Sequence, residues 1–464
     1  MSFKQKKLTK KSILNRKKIS IIAILAMADV LVMAVPFYLK NIISSVEIST
    51  QLGVTPSQFS QANSIYGYVA LLSYFIGGYF ADRISLKKLT FFGLLSVGVI
   101  SIWYGFLPFL ENGTGKVAQL YIIFSLWSFV TCFIFWAALW KLLSQQGTAD
   151  ENGILNGVHG SLNGLIGSIL IGIAYLIFHL FSSTDVWGNI LGQWAFSTLV
   201  FIFTGFTILN CFLLWKFVPE NKHIEDKIDT FDFHTFSKTL KNYKLWLVTL
   251  LIMGVYMYQS GLSVFVTYMN DALLITSVVV VIAGILRTYL FRFLFSVPAG
   301  KLADKTQKYI FFIIIGLFIA SIITLISIFL SGFDTSSRGT NMVVKVFIIF
   351  FYLLLGITCW ALVTNRWATI YEINISQKEY AMSVGFISFI AFSPDAWFWQ
   401  IDSILLDKLK VAEILPNGET IYNYKTANQV SLGIIVIIGV LAALGGIILL
   451  ISIKREKNKL KNKS

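Results

Sequence analysis

Long apolar runs recur along the chain, and each is long enough to cross a lipid bilayer as an α-helix. Crossing the hydrocarbon core takes about 20 apolar residues in a helix but only about 10 in a barrel strand. Backbone groups inside a bilayer must bond to one another, so only helices and closed barrels span it. The runs are too long for barrel strands and predict twelve transmembrane helices, at 19–39, 60–80, 89–109, 120–140, 157–180, 194–217, 245–269, 274–297, 309–330, 344–363, 381–405 and 430–453.

The composition supports an all-α integral membrane protein. Hydrophobic residues make up 56% of the chain and charged residues only 13%, which would coat a soluble protein with apolar surface. A charged stretch separates the sixth predicted helix from the seventh. We therefore expect a six-helix bundle at 1–218, a cytoplasmic linker at 219–244 and a second six-helix bundle at 245–464.

Lysine and arginine are distributed unevenly between the two predicted sides of the membrane. Basic residues crowd the N-terminal segment, the central linker and the C-terminal tail. Because cytoplasmic loops retain positive charge, this pattern places both termini in the cytoplasm. The net charge of +15 then reflects topology and contact with anionic lipid, and it requires no nucleic acid partner.

No enzyme signature appears in the sequence. Cys132, Cys211 and Cys359 all fall inside predicted helices, without the spacing of a metal site or a disulfide framework. The chain has no phosphate-binding glycine loop and no large soluble segment that would hold a nucleotide. We expect no cofactor and no metal.

A short polar motif occurs twice, 222 residues apart, each time between two apolar runs. It reads Gly, three residues, Asp and a basic residue, in GGYFADRISLKK at 77–88 and again in AGKLADKTQK at 299–308. The dipeptides Trp136-Ala137 and Trp360-Ala361 repeat at nearly the same offset. This motif resembles the cytoplasmic loop motif of the major facilitator superfamily of transporters. The resemblance implies two parallel six-helix halves around a central site.

The resemblance also implies a role for the motif. In the superfamily these loop residues join a charge network that holds the cytoplasmic face closed in one conformation. Ser85 and Gln307 depart from the pattern, standing where the family usually has a second glycine. The residues expected to form this conformational latch are Gly78, Asp82, Arg83, Lys87 and Lys88 in the first loop and, less completely, Gly300, Asp304 and Lys305 in the second.

Ionisable residues inside the predicted spans are the candidates for function, because charges at the bilayer centre are costly. Arg287 offers a planar fork that matches a carboxylate or phosphate, so it is expected to bind an anionic substrate. Asp29 and Asp395 lie at a similar depth in the membrane. They are expected to act either as proton-coupling residues or as salt-bridge partners of Arg287. Arg292 lies about 140° around the helix from Arg287, so it is expected to have a different partner or role.

Polar and aromatic side chains near these charges complete the predicted site. Tyr256, Gln259 and Trp360 are expected to contact substrate, although such rings also pack against helices and lipid. On the fifth predicted span, a stripe of glycines allows another helix to pack closely, and it is a candidate gating interface. The stripe consists of Gly157, Gly160, Gly164 and Gly167.

The main expectation is a secondary transporter that moves a small organic anion, of the sugar-acid or sugar-phosphate class, by alternating access. Its further partners would be protons or a counter-anion. One alternative is a proton-coupled symporter of a neutral sugar or nucleoside, with Asp29 as the coupling residue and Arg287 purely structural. Another is a membrane sensor that does not transport. The abundance of Phe, Ile, Lys and Asn indicates an AT-rich bacterial genome and hence a bacterial plasma membrane.

Overall fold

The computed structural model describes residues 16–81, 85–146, 152–182, 194–219, 241–306, 308–330, 341–373, 375, 377–414 and 420–461. Helices make up nearly all of these residues, as the apolar runs predict. The helices of the first half are α1 Arg16–Asn41, α2 Ser45–Leu52, α3 Pro56–Ala81, α4 Leu86–Phe109, α5 Thr114–Ser144, α6 Asn152–Ser182 and α7 Ala195–Phe217.

The second half repeats this pattern and adds a small hairpin. Its elements are α8 Tyr243–Ala272, α9 at 277–306, α10 Tyr309–Leu330, α11 Met342–Asn365 with a 3₁₀ continuation Arg366–Ile373, α12 Gln377–Ala391, α13 Pro394–Lys408, β1 Val411–Ile414, β2 Thr420–Asn423 and α14 Lys425–Lys461. The two strands pair antiparallel. Neither the hairpin nor α2 is expected from the apolar pattern, because both lie between spans.

Ten helical segments in the described residues are long and apolar enough to cross a membrane. The second and eleventh predicted spans are also helical, as α3 and as α12 with α13, but they are not among those ten. The total of twelve spans, the cytoplasmic termini and the boundaries of the two bundles stay predictions.

The eleventh span differs from the single helix predicted over 381–405. It breaks at 392–393, just before Pro394, which begins α13. Proline has no backbone N–H, so Pro394 cannot donate to the carbonyl oxygen of Ile390, and the N–H of Ser393 donates to that oxygen instead at 3.2 Å. Pro36 does not end α1, because it lies in a π-helical turn at Ala34–Tyr38 through which the helix continues.

Buried apolar side chains form one large cluster in each half of the chain, and Leu406, Tyr424 and Ala427 form a small third cluster. The first cluster runs from Ile21 to Val218 and also includes Val281 and Tyr289 of α9. The second runs from Leu245 to Leu449. Each half of the described chain therefore has its own apolar core, and Val281 and Tyr289 of α9 pack into the core of the first half.

The two halves are in contact toward the end of the bundle that is predicted to face outward. There the backbone N–H of Ser45 donates to Thr267 Oγ1 at 3.2 Å, and the hydroxyls of Ser57 and Ser403 lie 2.9 Å apart. Toward the predicted inner end, Gly157 and Gly160 of α6 have no neighbouring atom within 4 Å of where a Cβ would be. The end with the Ser45 and Ser57 contacts, which is predicted to face outward and is called the outer end below, is closed across the described residues.

Part of the glycine stripe on α6 packs against α9. A Cβ added at Gly167 would lie 2.1 Å from Tyr289 Cδ1, and one at Gly164 would lie 2.8 Å from the Tyr289 carbonyl oxygen. Only glycine permits this approach. The stripe therefore forms a contact between the halves at Gly164 and Gly167, and its role as a gating interface stays a prediction.

Candidate functional site

Arg287 is buried inside the second half, where it donates to the backbone of α8. Its Nη2 donates to the carbonyl oxygens of Tyr258 at 3.3 Å and Gln259 at 3.1 Å, where α8 breaks at the turn beginning at Gly261. The guanidinium carbon lies 5.8 Å from the ring centroid of Tyr352, and the residue is only 3% exposed. A cation at carbonyls near a helix end stabilises the break in the helix. Within the described chain, Arg287 forms no ion pair with Asp29 or Asp395.

We expect Arg287→Met to destabilise the protein without removing substrate recognition. The change leaves the two carbonyls at the α8 break without their charged donor, which costs roughly 1–3 kcal/mol. The melting temperature of the purified variant should fall, while any stabilisation by an added anion persists. Arg455→Met, at an exposed position of α14, is the matched control. A variant with normal stability and no anion response would instead place Arg287 in the binding site.

Arg292 joins the two halves through a neutral amide. Its Nη1 donates to Asn163 Oδ1 at 2.6 Å, and Asn163 Nδ2 donates to Asp29 Oδ2, also at 2.6 Å. The guanidinium carbon lies 5.1 Å from the ring centroid of Trp360. As expected from the helical geometry, Arg292 and Arg287 have different partners. His159 Nε2 lies 3.9 Å from the same oxygen of Asp29.

Arg366 faces the same region from the end of α11. Its Nη1 donates to Gln259 Oε1, and its guanidinium carbon lies 5.3 Å from the Phe392 ring and 5.7 Å from the Trp367 ring. Its Nε is buried without a hydrogen-bond partner in the described structure. The positive charge of Arg292 acts on this guanidinium. The predicted tenth span ends at 363, so the sequence places Arg366 in a flanking loop.

Tyr38 approaches this region from the first half. Its hydroxyl interacts electrostatically with Arg292, Arg366, Asp29 and Asp395. Its ring meets that of Tyr289 edge to face, with centroids 5.8 Å apart. No pattern in the sequence distinguishes Tyr38 from the other aromatic residues near helix ends.

Asp395 is held by hydroxyl groups of α8. Tyr256 donates its hydroxyl proton to Asp395 Oδ2, and Ser260 Oγ donates to Oδ1 at 2.7 Å. The ring of Tyr256 also lies 4.4 Å from that of Phe392. Trp360, the remaining predicted contact residue, donates from Nε1 to the carbonyl oxygen of Arg287 at 2.5 Å. Tyr256, Gln259 and Trp360 therefore border the region that Arg292 and Arg366 face.

Two buried charges outside the predicted set lie nearer the outer end. Lys40 is 3% exposed, donates to Asn63 Oδ1 at 2.8 Å, and lies 3.8 Å from the ring centroid of Trp399. Asp402 is 5% exposed and contacts Ser60 and Ser431, each at 2.7 Å. Lys40 comes one residue after the predicted first span, and Asp402 lies near the end of the eleventh. A charge at such a position often reaches water, so the sequence does not single them out.

The predicted latch is described only in part. Asp82 and Arg83 lie outside the described residues. Gly78 and Asp304 are placed in α3 and α9 by their backbones alone. Among the others, Lys87 Nζ lies 5.5 Å from the Trp215 ring, Lys88 and Lys305 are exposed, and a Cβ at Gly300 would contact Thr364 at 3.6 Å.

Ser85, where the family usually has glycine, is the N-cap of α4 and accepts from the backbone N–H of Lys88 at 3.2 Å. The substitution thus has a local structural role. The function of the loops as a latch stays a prediction.

The chain belongs to the Major Facilitator Superfamily, whose sequence profile matches residues 15–395. It is 33% identical over 407 residues to the uncharacterized protein MG294 homolog of Mycoplasma pneumoniae, covering 84% of each chain. It is 25% identical over 258 residues to the inner membrane protein YihN of Escherichia coli, covering 55% of this chain and 58% of YihN.

The fold is also that of solved transporters. A crystal structure of a mutant of the nucleoside transporter NupG superposes with a TM-score of 0.65 at 11% identity, over 93% of this chain and 99% of that one. The protein is a membrane transporter rather than an enzyme, and it belongs in the bacterial plasma membrane.

Proposed function

We propose that this transporter moves a small organic anion, of the sugar-acid or sugar-phosphate class, by alternating access coupled to protons or to exchange of another anion. In this proposal Arg292 and Arg366 bind the anionic group, and Arg287 stabilises the break in α8. Gln259, Tyr38 and Trp360 border the bound molecule. Asp29 is linked to Arg292 through Asn163, so it is placed to respond when the arginine binds its ligand.

The unfilled donor capacity of the two guanidiniums carries the proposal. Each guanidinium has five N–H donors. Arg292 and Arg366 each make one hydrogen bond to a neutral amide oxygen, and neither forms an ion pair within the described ranges. The buried Nε of Arg366 adds an unmet donor. A carboxylate or phosphate matches such forks in both charge and geometry.

The surrounding rings suit a ligand with a compact polar body. Trp360, Trp367 and Phe392 lie within 5.1–5.7 Å of the two guanidinium carbons. These rings help hold the arginines in place by cation–π contact and exclude water, which strengthens the attraction for an anion. A flat aromatic face also suits the apolar face of a sugar.

A ligand panel on purified protein tests this proposal. A ligand that binds only the native state raises its melting temperature. We expect stabilisation by at least one sugar phosphate or sugar acid, and none by the neutral sugar of the same skeleton. Arg366→Gln should lose this response while remaining folded. Stabilisation by a neutral sugar or nucleoside that survives Arg366→Gln would contradict the proposal and favour the neutral-substrate symporter.

A further inference from the structure

Asp402 lies in the contact between the two halves at the closed outer end. It belongs to α13, and its Oδ2 is 2.7 Å from Ser60 Oγ of α3 in the other half. Its Oδ1 accepts a hydrogen bond from Ser431 Oγ of α14 at 2.7 Å. Ser60 Oγ also lies 3.0 Å from the carbonyl oxygen of Trp399. The group thus connects three helices, and opening the outer end would separate Ser60 from Asp402.

The number of hydrogens available in this group favours a protonated Asp402. A serine hydroxyl has one hydrogen to donate. Ser60 Oγ lies at hydrogen-bond distance from two oxygens, Asp402 Oδ2 and the Trp399 carbonyl oxygen. Neither of these oxygens carries a hydrogen when Asp402 is ionised. If Asp402 carries a proton on Oδ2, that proton is donated to Ser60 Oγ. The Ser60 hydrogen then goes to the Trp399 carbonyl, and Ser431 supplies Oδ1. Every oxygen contact then has its hydrogen.

Asp395, seven residues earlier on the same helix, shows the opposite arrangement. Its two oxygens accept from Tyr256 and Ser260, and each donor has its own hydrogen. The two aspartates of α13 therefore differ in the hydrogens available to them. Each oxygen of Asp395 has a donor of its own, whereas Asp402 shares the Ser60 hydrogen with the Trp399 carbonyl oxygen.

The charges around Asp402 agree with this assignment. Lys40 of α1 is the charged group that acts electrostatically on Asp402. Lys40 is also attracted by Asp395, and this attraction is larger than the one between Lys40 and Asp402. Lys40 donates to Asn63 and not to Asp402. The contacts from α3 and α14 are the hydroxyls of Ser60 and Ser431, and the α8 groups Tyr256 and Ser260 bond to Asp395. One buried cation, one anion and one neutral acid avoid an uncompensated buried charge.

We propose that Asp402 is a proton-binding site that locks the outer gate. With the outer end open, Asp402 is ionised and hydrated. It takes one proton from the outer aqueous phase, forming the Oδ2–H bond that bridges to Ser60 when the halves close. The proton returns to the same phase when they separate, so no net proton transfer is required. Acidity outside the cell thus favours the conformation with the outer end closed, whatever the substrate is.

Distance measurements between spin labels test the lock. Glu111→Cys and Val411→Cys place labels at exposed positions of the two halves at the outer end, in a background where Cys132, Cys211 and Cys359 are replaced. Labelling at one fixed pH removes the pH dependence of the thiol chemistry. In nanodiscs, the short-distance population should grow as the pH falls. Asp402→Asn, whose amide can donate to Ser60 and accept from Ser431, should remain closed at every pH.

The control is Asp407→Asn, at an exposed position five residues further along α13, which should titrate like the unsubstituted protein. Infrared spectroscopy gives an independent readout, because the closed protein should show a buried carboxylic acid C=O band that Asp402→Asn removes. An unchanged pH dependence in Asp402→Asn, or a carboxylic acid band that is identical in Asp402→Asn and in the unsubstituted protein, would overturn the proposal. Neither measurement uses a substrate, so the result is independent of the anion-transport proposal.

Discussion

Replacing Arg366 with glutamine is expected to reduce the affinity for the transported anion by roughly 10- to 150-fold, the loss of a charge-assisted bond worth about 1.5–3 kcal/mol. The shorter neutral side chain removes both the charge and the unmet Nε donor. The affinity of Arg366→Lys should lie between that of the unsubstituted protein and that of Arg366→Gln, because lysine keeps the charge but not the planar fork. Uptake kinetics in proteoliposomes measure the change as a rise in KM.

The control for this substitution is Arg455→Gln on α14. It is the same chemical change at an exposed arginine far along the chain from the site, and uptake should be unaffected. If Arg366→Gln and Arg455→Gln transported equally well, Arg366 would not bind the substrate.

Arg292 and Arg366 should act together if they bind one anion. In that case, Arg292→Gln alone causes a similar loss, and the double variant loses less than the sum of the two single effects in free energy. Arg292→Gln also removes the link from Asp29 through Asn163. Asn163→Ala breaks that link and leaves the guanidinium in place, so it separates the two contributions.

The second large effect is expected from Gly67→Ala in α3. A Cβ at this position would lie 2.0 Å from both the carbonyl carbon and the carbonyl oxygen of Asp395. Those are backbone atoms of α13, so no side chain can move aside to relieve the clash. The two helices must separate for the methyl group to fit. We therefore expect the outer end to stay open and transport to fall more than tenfold, since each transport cycle requires closure at this contact.

The spin labels at positions 111 and 411 report this opening directly, through loss of the short-distance population. Gly205→Ala is the matched control, because no atom lies within 4 Å of its added Cβ. Normal closure and transport in Gly67→Ala would show that the helices do not approach this closely in the working protein.

The helices could be predicted from the sequence where contact with lipid makes nearly every residue apolar. The ninth span, expected at 309–330, is found at Tyr309–Leu330, because nearly every residue of that helix is apolar. Family membership followed from the repeated loop motif, and it is confirmed by the profile match. Lipid-facing residues must be apolar whatever the neighbouring helices are, so a single chain suffices to recognise them.

The polar groups of the candidate site could be predicted only in part. Arg292 and Asp29 were recognisable as charges inside apolar runs. Arg366 and Lys40 were not recognisable in this way. A helix that lines a polar interior continues beyond its last apolar residue, so the apolar run in the sequence ends before the helix does. The close approach at Gly67 depends on α13, more than 300 residues away, and has no local signature.

The division of roles between Arg287 and Arg292 also required the structure. Five residues apart on α9, both arginines occupy apolar surroundings in the sequence. Only the break in α8 at Gly261 exposes the carbonyls that engage Arg287. Such tertiary partners cannot be read from the spacing along one helix.

Uptake by proteoliposomes containing the purified protein tests the central claim most directly. Labelled sugar phosphates and sugar acids would be compared with their neutral parent sugars and with nucleosides, in the unsubstituted protein and in Arg366→Gln. We expect at least one anion to be taken up, with uptake lost in Arg366→Gln and retained in Arg455→Gln. Uptake of a neutral sugar or nucleoside alone, undiminished by Arg366→Gln, would contradict the assignment of Arg292 and Arg366 as an anion site.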